Sequence, residues 1–267
     1  MSAFSAEWLA LREDADASAR ATDLLDPLRA YLPEAPLVVL DLGCGTGSMA
    51  RWLPGRLRGE QHWILQDRDP ALLERASTRP VAADDAPVTA ETWQHDITEI
   101  SAASLGGSSL VTASALLDLL TAGEVERLAN ACATAACPAL LTLSVAGAVE
   151  LHPRDPLDPH VAAAFNAHQR RVEDGRRLLG PDAVQIAAEA FARRGGAVRT
   201  APSPWQLGPG RADLLEEWLR GWVGAACEQA PGVAAGDYLN RRLAACAAGE
   251  LRVVVHHRDL LALPEVR

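Results

Sequence analysis

Apolar residues recur at helical spacing between positions 5 and 32, where Trp8, Leu9, Leu24, Leu25, Leu28 and Leu32 predict one or two helices that Pro33 stops. From Leu37 the rhythm changes to short apolar runs alternating with helical stretches. The runs predict strands at Leu37–Leu42, His62–Gln66, Val88–His95, Leu110–Ser114, Ala139–Val145, Ala197–Ala201 and Leu251–His257. Helices are predicted near 47–53, 70–77, 121–136 and 181–194, the last opened by Pro181 and Asp182 and closed by Gly195-Gly196. Such alternation predicts an α/β fold: a seven-stranded, mostly parallel sheet with helices on both faces.

Two segments exceed a minimal version of that plan, 146–180 and 202–250. The second holds a helical stripe, Leu214, Leu215, Trp218, Leu219, Trp222 and Val223, followed by Tyr238, Leu239, Arg242 and Leu243. Together with the N-terminal helices, these insertions are expected to form a helical cap over the strand ends. The chain then divides into a cap segment at 1–36, a core at 37–145, and a remainder at 146–267 that completes the sheet and carries the insertions.

Charge narrows the partners. The chain has 35 acidic and 25 basic residues, a net charge of −10, and no lysine. Nucleic acid is therefore a disfavoured partner, and a Walker lysine, a lysine Schiff base and a lysine general base are excluded. Cysteines 44, 132, 137, 227 and 246 are odd in number and form no C-x-x-C pair, which predicts free thiols in a reducing compartment. The first residues, MSAFSAEWLALRED, lack a basic and an apolar signal region. Ala131–Val149 carries no charge over 19 residues, but its Ala, Thr, Ser and Cys content and central Pro138 fit a helix end and a buried strand better than a membrane span. A cytoplasmic protein without membrane attachment is expected. Oligomeric state is not legible.

The most informative stretch is Val38-Val39-Leu40-Asp41-Leu42-Gly43-Cys44-Gly45-Thr46-Gly47-Ser48, a buried strand entering a glycine-rich turn and then a helix. Glycine permits the tight turn and lets a ligand approach the backbone. A dinucleotide fingerprint needs G-x-G-x-x-G, whereas here the third glycine falls at 47 and position 48 is serine. The G-x-G-x-G spacing, with Asp41 two places before it, resembles motif I of class I S-adenosylmethionine-dependent methyltransferases. That resemblance implies a Rossmann-like core with S-adenosylmethionine as cofactor, Gly43, Cys44 and Gly45 against its methionine part, and Asp41 orienting the loop or, through water, the amino group. Asp67 stands at the end of the next strand, about 20 residues on, where a ribose-binding carboxylate belongs. The run that follows, Arg68-Asp69-Pro70-Ala71-Leu72-Leu73, looks like the family's D-x-[SD]-P-x-x-L segment and adds Arg68 to the cofactor set. Asp69 and Pro70 are accounted for as helix cap and first turn. Asp96 and Ile97, after the third strand, resemble the acid and apolar pair at the adenine. Ser114 resembles the small polar residue near the sulfonium. Asp118 interrupts an apolar run, either as a buried carboxylate of the site or as a cap or salt-bridge residue. The resemblance covers about 37–145.

Acceptor-side candidates lie in the polar insertion after the fifth strand, because ligands gather beyond the carboxyl ends of the strands in this class. His168 is a candidate base. Asn166 and Arg170, spaced i to i+4, share a helical face. A proline-punctuated loop with an exposed helix explains the same residues. A metal site from His152, Asp155, Asp158 and His160 lacks an established ligand spacing, and no metal is expected. Trp8, Arg12, Asp16 and Arg20 share one face of the first helix, as surface ion pairs or as a lid over the cofactor. Of His256 and His257, at most one reaches a pocket. The expected activity is methyl transfer to a small-molecule acceptor. An RNA or protein methyltransferase, or a non-catalytic cofactor-binding partner subunit, are the alternatives. Which atom receives the methyl is not legible.

Overall fold

The computed structural model describes residues 5–79, 81–231 and 235–265. Residues 1–4 of the first cap segment and 232–234 of the last insertion lie outside the described residues. The first helix, α1 (Ala6–Ala19), starts at Ser5, whose hydroxyl accepts from Trp8 N at 3.1 Å; α2 (Leu25–Tyr31) follows after one 3₁₀ turn. Five strands are laid down next: β1 (Leu37–Leu42), β2 (Gln61–Asp67), β3 (Val88–Gln94), β4 (Leu110–Ser114) and β5 (Ala139–His152). Between them stand α3 (Ser48–Trp52), α4 (Pro70–Leu73) and α5 (Ala122–Ala135). The helix expected over 70–77 thus stops after four residues, where the chain turns back so that Ser77 N reaches Thr46 O beside the glycine turn.

After β5 come α6 (Asp158–Gln169), a ribbon of β6 (Val172–Glu173) and β7 (Arg176–Arg177), α7 (Ala183–Ala192), β8 (Ala197–Pro202), β9 (Trp205–Leu207), α8 (Ala212–Gln229), α9 (Ala235–Ala247) and β10 (Arg252–Leu263). The large sheet runs β3-β2-β1-β4-β5-β10-β8. Its first five strands are parallel and β10 is antiparallel to both neighbours. This is the expected doubly wound, mostly parallel architecture, with an eighth strand in place of the expected seven. β8 and β9 share the flank of β10 and are parted at Ser203-Pro204, where proline has no N–H to continue the ladder.

Alternation along the strands builds a core on each face. Leu40, Leu42, Val111, Ala113 and Leu141 pack with α5 and α7, while Val39, Trp63, Leu65, Leu110 and Leu140 pack with α2 and α3. The parity that buries Val39 also sends Asp41 to the α3 face, next to Thr112 of β4 in register. β5 and β10 both run well past their expected ends, and the extension of β5 pairs with the start of β10, carrying Leu151, Val253 and Val255 under a third core. α6, α8 and α9 cover that extension. Trp218 and Trp222 stack with centroids 5.1 Å apart, and Trp222 also meets Phe165 and Tyr238. The cap stripe therefore covers the extended strands. Asp259 on β10 ties the N-terminal segment to the sheet, accepting Ala21 N at 2.8 Å and Leu143 N at 2.7 Å.

Candidate active site

A cavity of about 720 Å³ opens at the carboxyl ends of β1, β2, β3 and β4. All nine cofactor residues expected from the sequence line it: Asp41, Gly43, Cys44, Gly45, Asp67, Arg68, Asp96, Ile97 and Ser114. Gly43 and Gly45 have φ of +59° and +56°, left-handed values that favour glycine. A Cβ at Gly43 would touch Leu116, and one at Gly45 would touch Leu9 of α1. The turn is held by the Asp67 carboxylate, which accepts Gly45 N at 2.9 Å on one oxygen and Asp69 N at 3.0 Å on the other.

Asp41 is buried. Its Oδ1 accepts from Thr112 Oγ1 at 2.6 Å, while Oδ2 has no partner. Burial pushes this carboxyl up to about 7, against the pull of the Thr112 hydroxyl and the Arg20 guanidinium. Burial pushes the Cys44 thiol far up as well, so it is no nucleophile at neutral pH. Asp96 caps a short 3₁₀ turn, accepting Thr98 N at 2.8 Å, and Ile97 stands half-buried beside it.

The rest of the wall comes from two segments. Leu9, Arg12 and Asp16 of α1 form one side. Arg12 pairs with Asp16 at 2.9 Å and lies over the Trp205 ring, whose Nε1 donates to Asp16 Oδ1 at 2.9 Å. The face formed by Trp8, Arg12, Asp16 and Arg20 is thus turned inward, with Arg12, Asp16 and Arg20 buried. The other side is Arg171, Glu173, Asp174, Arg176 and Leu178, contributed by the β6–β7 ribbon and its flanks. Arg176 is anchored by Glu124 at 2.7 Å. The sequence reading did not single out this ribbon, although Asp174-Gly175, both at positive φ, is a two-residue hairpin signal.

Asn166, His168 and Arg170 are not brought to the cavity. Asn166 Nδ2 donates to Gly147 O at 2.7 Å, His168 meets Glu228 of α8 at 3.0 Å, and Arg170 is engaged by Asp182 at 2.6 Å. Their helix packs on α8, which turns that face into scaffold. None of the described residues of 202–250 lines the cavity either. Asp118 is intermediate: it does not line the cavity, but Leu116, Leu119 and Leu120 around it do. Its Oδ1 is buried without a partner, and burial pushes its carboxyl up to about 6, against the pull of Arg12 and Arg171. Asp155 pairs with Arg241, and Asp158 with Arg242 and Tyr238. Among the described residues no group of three or more His, Cys, Asp or Glu is placed to hold a metal ion. His256 meets Glu150, and His257 is buried against Trp205 with its imidazole pushed down to about 3 by burial; neither lines the cavity. Among the described residues no helix is long and apolar enough to cross a membrane.

A family model described as a methyltransferase domain matches residues 39–138, the segment from β1 to the residue before β5. No curated protein sequence matches the chain. Among solved structures, the chain is similar to a candidate type II methyltransferase from Anaeromyxobacter dehalogenans, at 17% identity, with 93% of this chain and 99% of that one covered and a TM-score of 0.50. It is also similar to a mycolic acid cyclopropane synthase complexed with SAH and CTAB, at 13% identity over 90% of this chain and 83% of that one, with a TM-score of 0.48. A third is a phosphoethanolamine N-methyltransferase of Haemonchus contortus, in complex with phosphomonomethylethanolamine and S-adenosylhomocysteine, at 13% identity over 99% of this chain and 59% of that one, with a TM-score of 0.47. Residues 39–138 match a methyltransferase domain, and that segment carries the glycine turn, Asp67 and Asp96.

Proposed function

We propose that the chain methylates a small-molecule acceptor held between the cofactor and the β6–β7 ribbon. The cavity residues fit the cofactor: Gly43 and Gly45 at positive φ bring bare backbone to the cavity, with Leu116 and Leu9 too close for a Cβ, and Asp41 keeps a buried acceptor atom without a partner. In this reading Asp67 accepts from the ribose hydroxyls, Asp96 and Ile97 take the adenine, and the methionine part lies along Gly43 to Gly45 towards Asp41 and Ser114. Cys44 contributes its backbone, and Arg68 flanks the ribose from the exposed rim. The cofactor supplies a methyl group on a positively charged sulfur, already activated for displacement. The protein's part is to position the acceptor and receive its proton.

The observation that carries the small-molecule reading is the double wall over the cavity, α1 on one side and the ribbon on the other. At about 720 Å³ the space falls within the range of small-ligand sites, ~300–1,000 Å³. A net charge of −10 argues against a nucleic-acid acceptor, and this reading includes no nucleic-acid partner and no membrane attachment. Of the four acceptor-side candidates, only Asp118 is kept: it stands behind the wall formed by Leu116, Leu119 and Leu120, and in this reading takes the acceptor proton through one bridging water. Arg171 and Arg176 border the acceptor space from the ribbon. The test is incubation of the protein and methyl-labelled cofactor with a dialysed cell extract and, separately, with its dialysable fraction. Label transferred into the dialysable fraction supports the proposal. Label confined to retained RNA or protein overturns it.

A further inference from the structure

Behind the cavity wall lies a polar cluster centred on Arg20, a residue that the reading above does not use. Arg20, the residue that follows and caps α1, is 3% exposed. Its Nη2 donates to Ser48 Oγ at 3.0 Å and to Ser114 Oγ at 3.1 Å, while Nε and Nη1 have no partner. Its guanidinium stands 5.3 Å from the centre of the Trp52 ring. Ser48 and Ser114 both line the cavity, as does Asp41 with its unpartnered Oδ2.

Hydroxyl bookkeeping gives this cluster a direction. A serine hydroxyl has one proton to give and two lone pairs to fill. Ser114 Oγ accepts from Arg20 and stands 3.1 Å from Thr142 Oγ1, whose own proton has Ala113 O as a second acceptor at 3.4 Å, so the Ser114 hydroxyl can exchange its Thr142 contact for a ligand in the cavity. Ser48 Oγ also accepts from Arg20. A buried cation that fills the oxygens leaves the two O–H groups to donate into the cavity, and donors next to a cation favour an anion. Asp41 Oδ2, an unfilled acceptor on the same wall, favours a cation.

We propose that Arg20 is a positioning residue that turns Ser48 and Ser114 into a paired donor for the α-carboxylate of the cofactor's methionine part, while Asp41 receives its α-ammonium group. The wall thus reads the zwitterionic end of the ligand, separately from the nucleoside end at Asp67. This rests on the cofactor orientation proposed above. It also links the first helix to the cofactor, because Arg20 is the last residue of a segment whose Leu9, Arg12 and Asp16 wall the same cavity.

Two probes separate the ends of the ligand: S-adenosylhomocysteine carries the amino-acid part, and 5′-methylthioadenosine has the same nucleoside and thioether without it. Calorimetric affinities are measured for the wild type, Arg20→Met and the double variant Ser48→Ala/Ser114→Ala, the last keeping the buried cation should Arg20→Met fail to fold. The expected result is a loss for S-adenosylhomocysteine of about tenfold or more, with 5′-methylthioadenosine affinity kept within about twofold. Equal losses for both ligands would assign the cluster a merely structural role and overturn the proposal, as would unchanged S-adenosylhomocysteine affinity in the double serine variant. Failure of the underlying orientation reads differently: Asp67→Ala would then leave 5′-methylthioadenosine affinity unchanged.

Discussion

The carboxylate of Asp67 accepts the backbone N–H of Gly45 at 2.9 Å, so the acid that ends the second strand braces the turn that follows the first. Each of its oxygens takes one backbone donor and keeps a lone pair free. In the proposed reading the braced turn and the remaining lone pairs serve one ligand, since Asp67 and Gly45 line the same cavity. Asp67→Ala is expected to weaken S-adenosylhomocysteine binding by about 2 kcal/mol or more, roughly 30-fold, by removing a charge-assisted acceptor. The loss should be shared by 5′-methylthioadenosine, which keeps the ribose. Calorimetry that returns wild-type affinity for both ligands would remove Asp67 from the site.

Asp41 makes the protein's stability depend on pH. Its folded carboxyl is pushed up to about 7, above an unfolded value of about 3.9. A carboxyl raised on folding contributes stability that is fully present below the unfolded value and is lost as pH rises through the folded one. Asp41→Asn removes the titration and keeps an oxygen for the Thr112 hydroxyl. Relative to wild type, the variant should therefore gain stability between about pH 4 and pH 7 and stay level above, by at most a few kcal/mol. Urea denaturation at pH 5 and pH 8 is the measurement. A difference between the two proteins that does not change with pH contradicts the assignment.

What was legible in the chain is what adjacent residues decide. The glycine turn follows its strand directly, and Asp67 and Asp96 sit where strands end, so local pattern together with the family resemblance pointed to residues that line one space. The acceptor side depends on tertiary contacts. Asn166, His168 and Arg170 share a segment that reads as a polar insertion, but their partners are Gly147, Glu228 and Asp182, and only packing shows that these pairs make the helix a scaffold. The inward turn of α1 rests on Trp205, 189 positions from Asp16, and on Ser114, 94 positions from Arg20. Periodicity could show that Trp8, Arg12, Asp16 and Arg20 share a face. It could not show what that face meets. The ribbon at 172–177 was within reach, because Asp174-Gly175 between short arginine-flanked runs is a hairpin turn in the sequence itself.

The cap and the cavity are expected to respond separately to mutation. Trp222 is 1% exposed, stacks on Trp218 and touches Phe165 and Tyr238, so Trp222→Ala should cost about 3–5 kcal/mol of stability. None of the described residues of 202–250 lines the cavity, so S-adenosylhomocysteine affinity, measured where the variant is folded, should stay near the wild-type value. Denaturation and calorimetry on the same preparation check both halves. A large loss of affinity in a folded variant would return the insertion to the binding site.

Asp118 is expected to set the acidic limb of turnover. Asp118 belongs to the turn whose Leu116, Leu119 and Leu120 line the cavity, and burial raises its carboxyl to about 6 while Arg12 and Arg171 draw it down. A proton acceptor works in its ionised form, so methyl transfer to the acceptor found in the dialysable fraction should rise with pH up to about 6 and level off beyond. Asp118→Asn keeps the size and loses the basicity. It should lower turnover by about 10²- to 10⁴-fold, the usual contribution of a positioned base, and abolish the rise near pH 6. Cofactor affinity should hold, because Asp118 is not in the cavity wall where the nucleoside and methionine parts are placed. If the variant keeps the wild-type pH profile, the acceptor loses its proton to water, and Asp118 is a buried carboxylate balanced by Arg12 and Arg171.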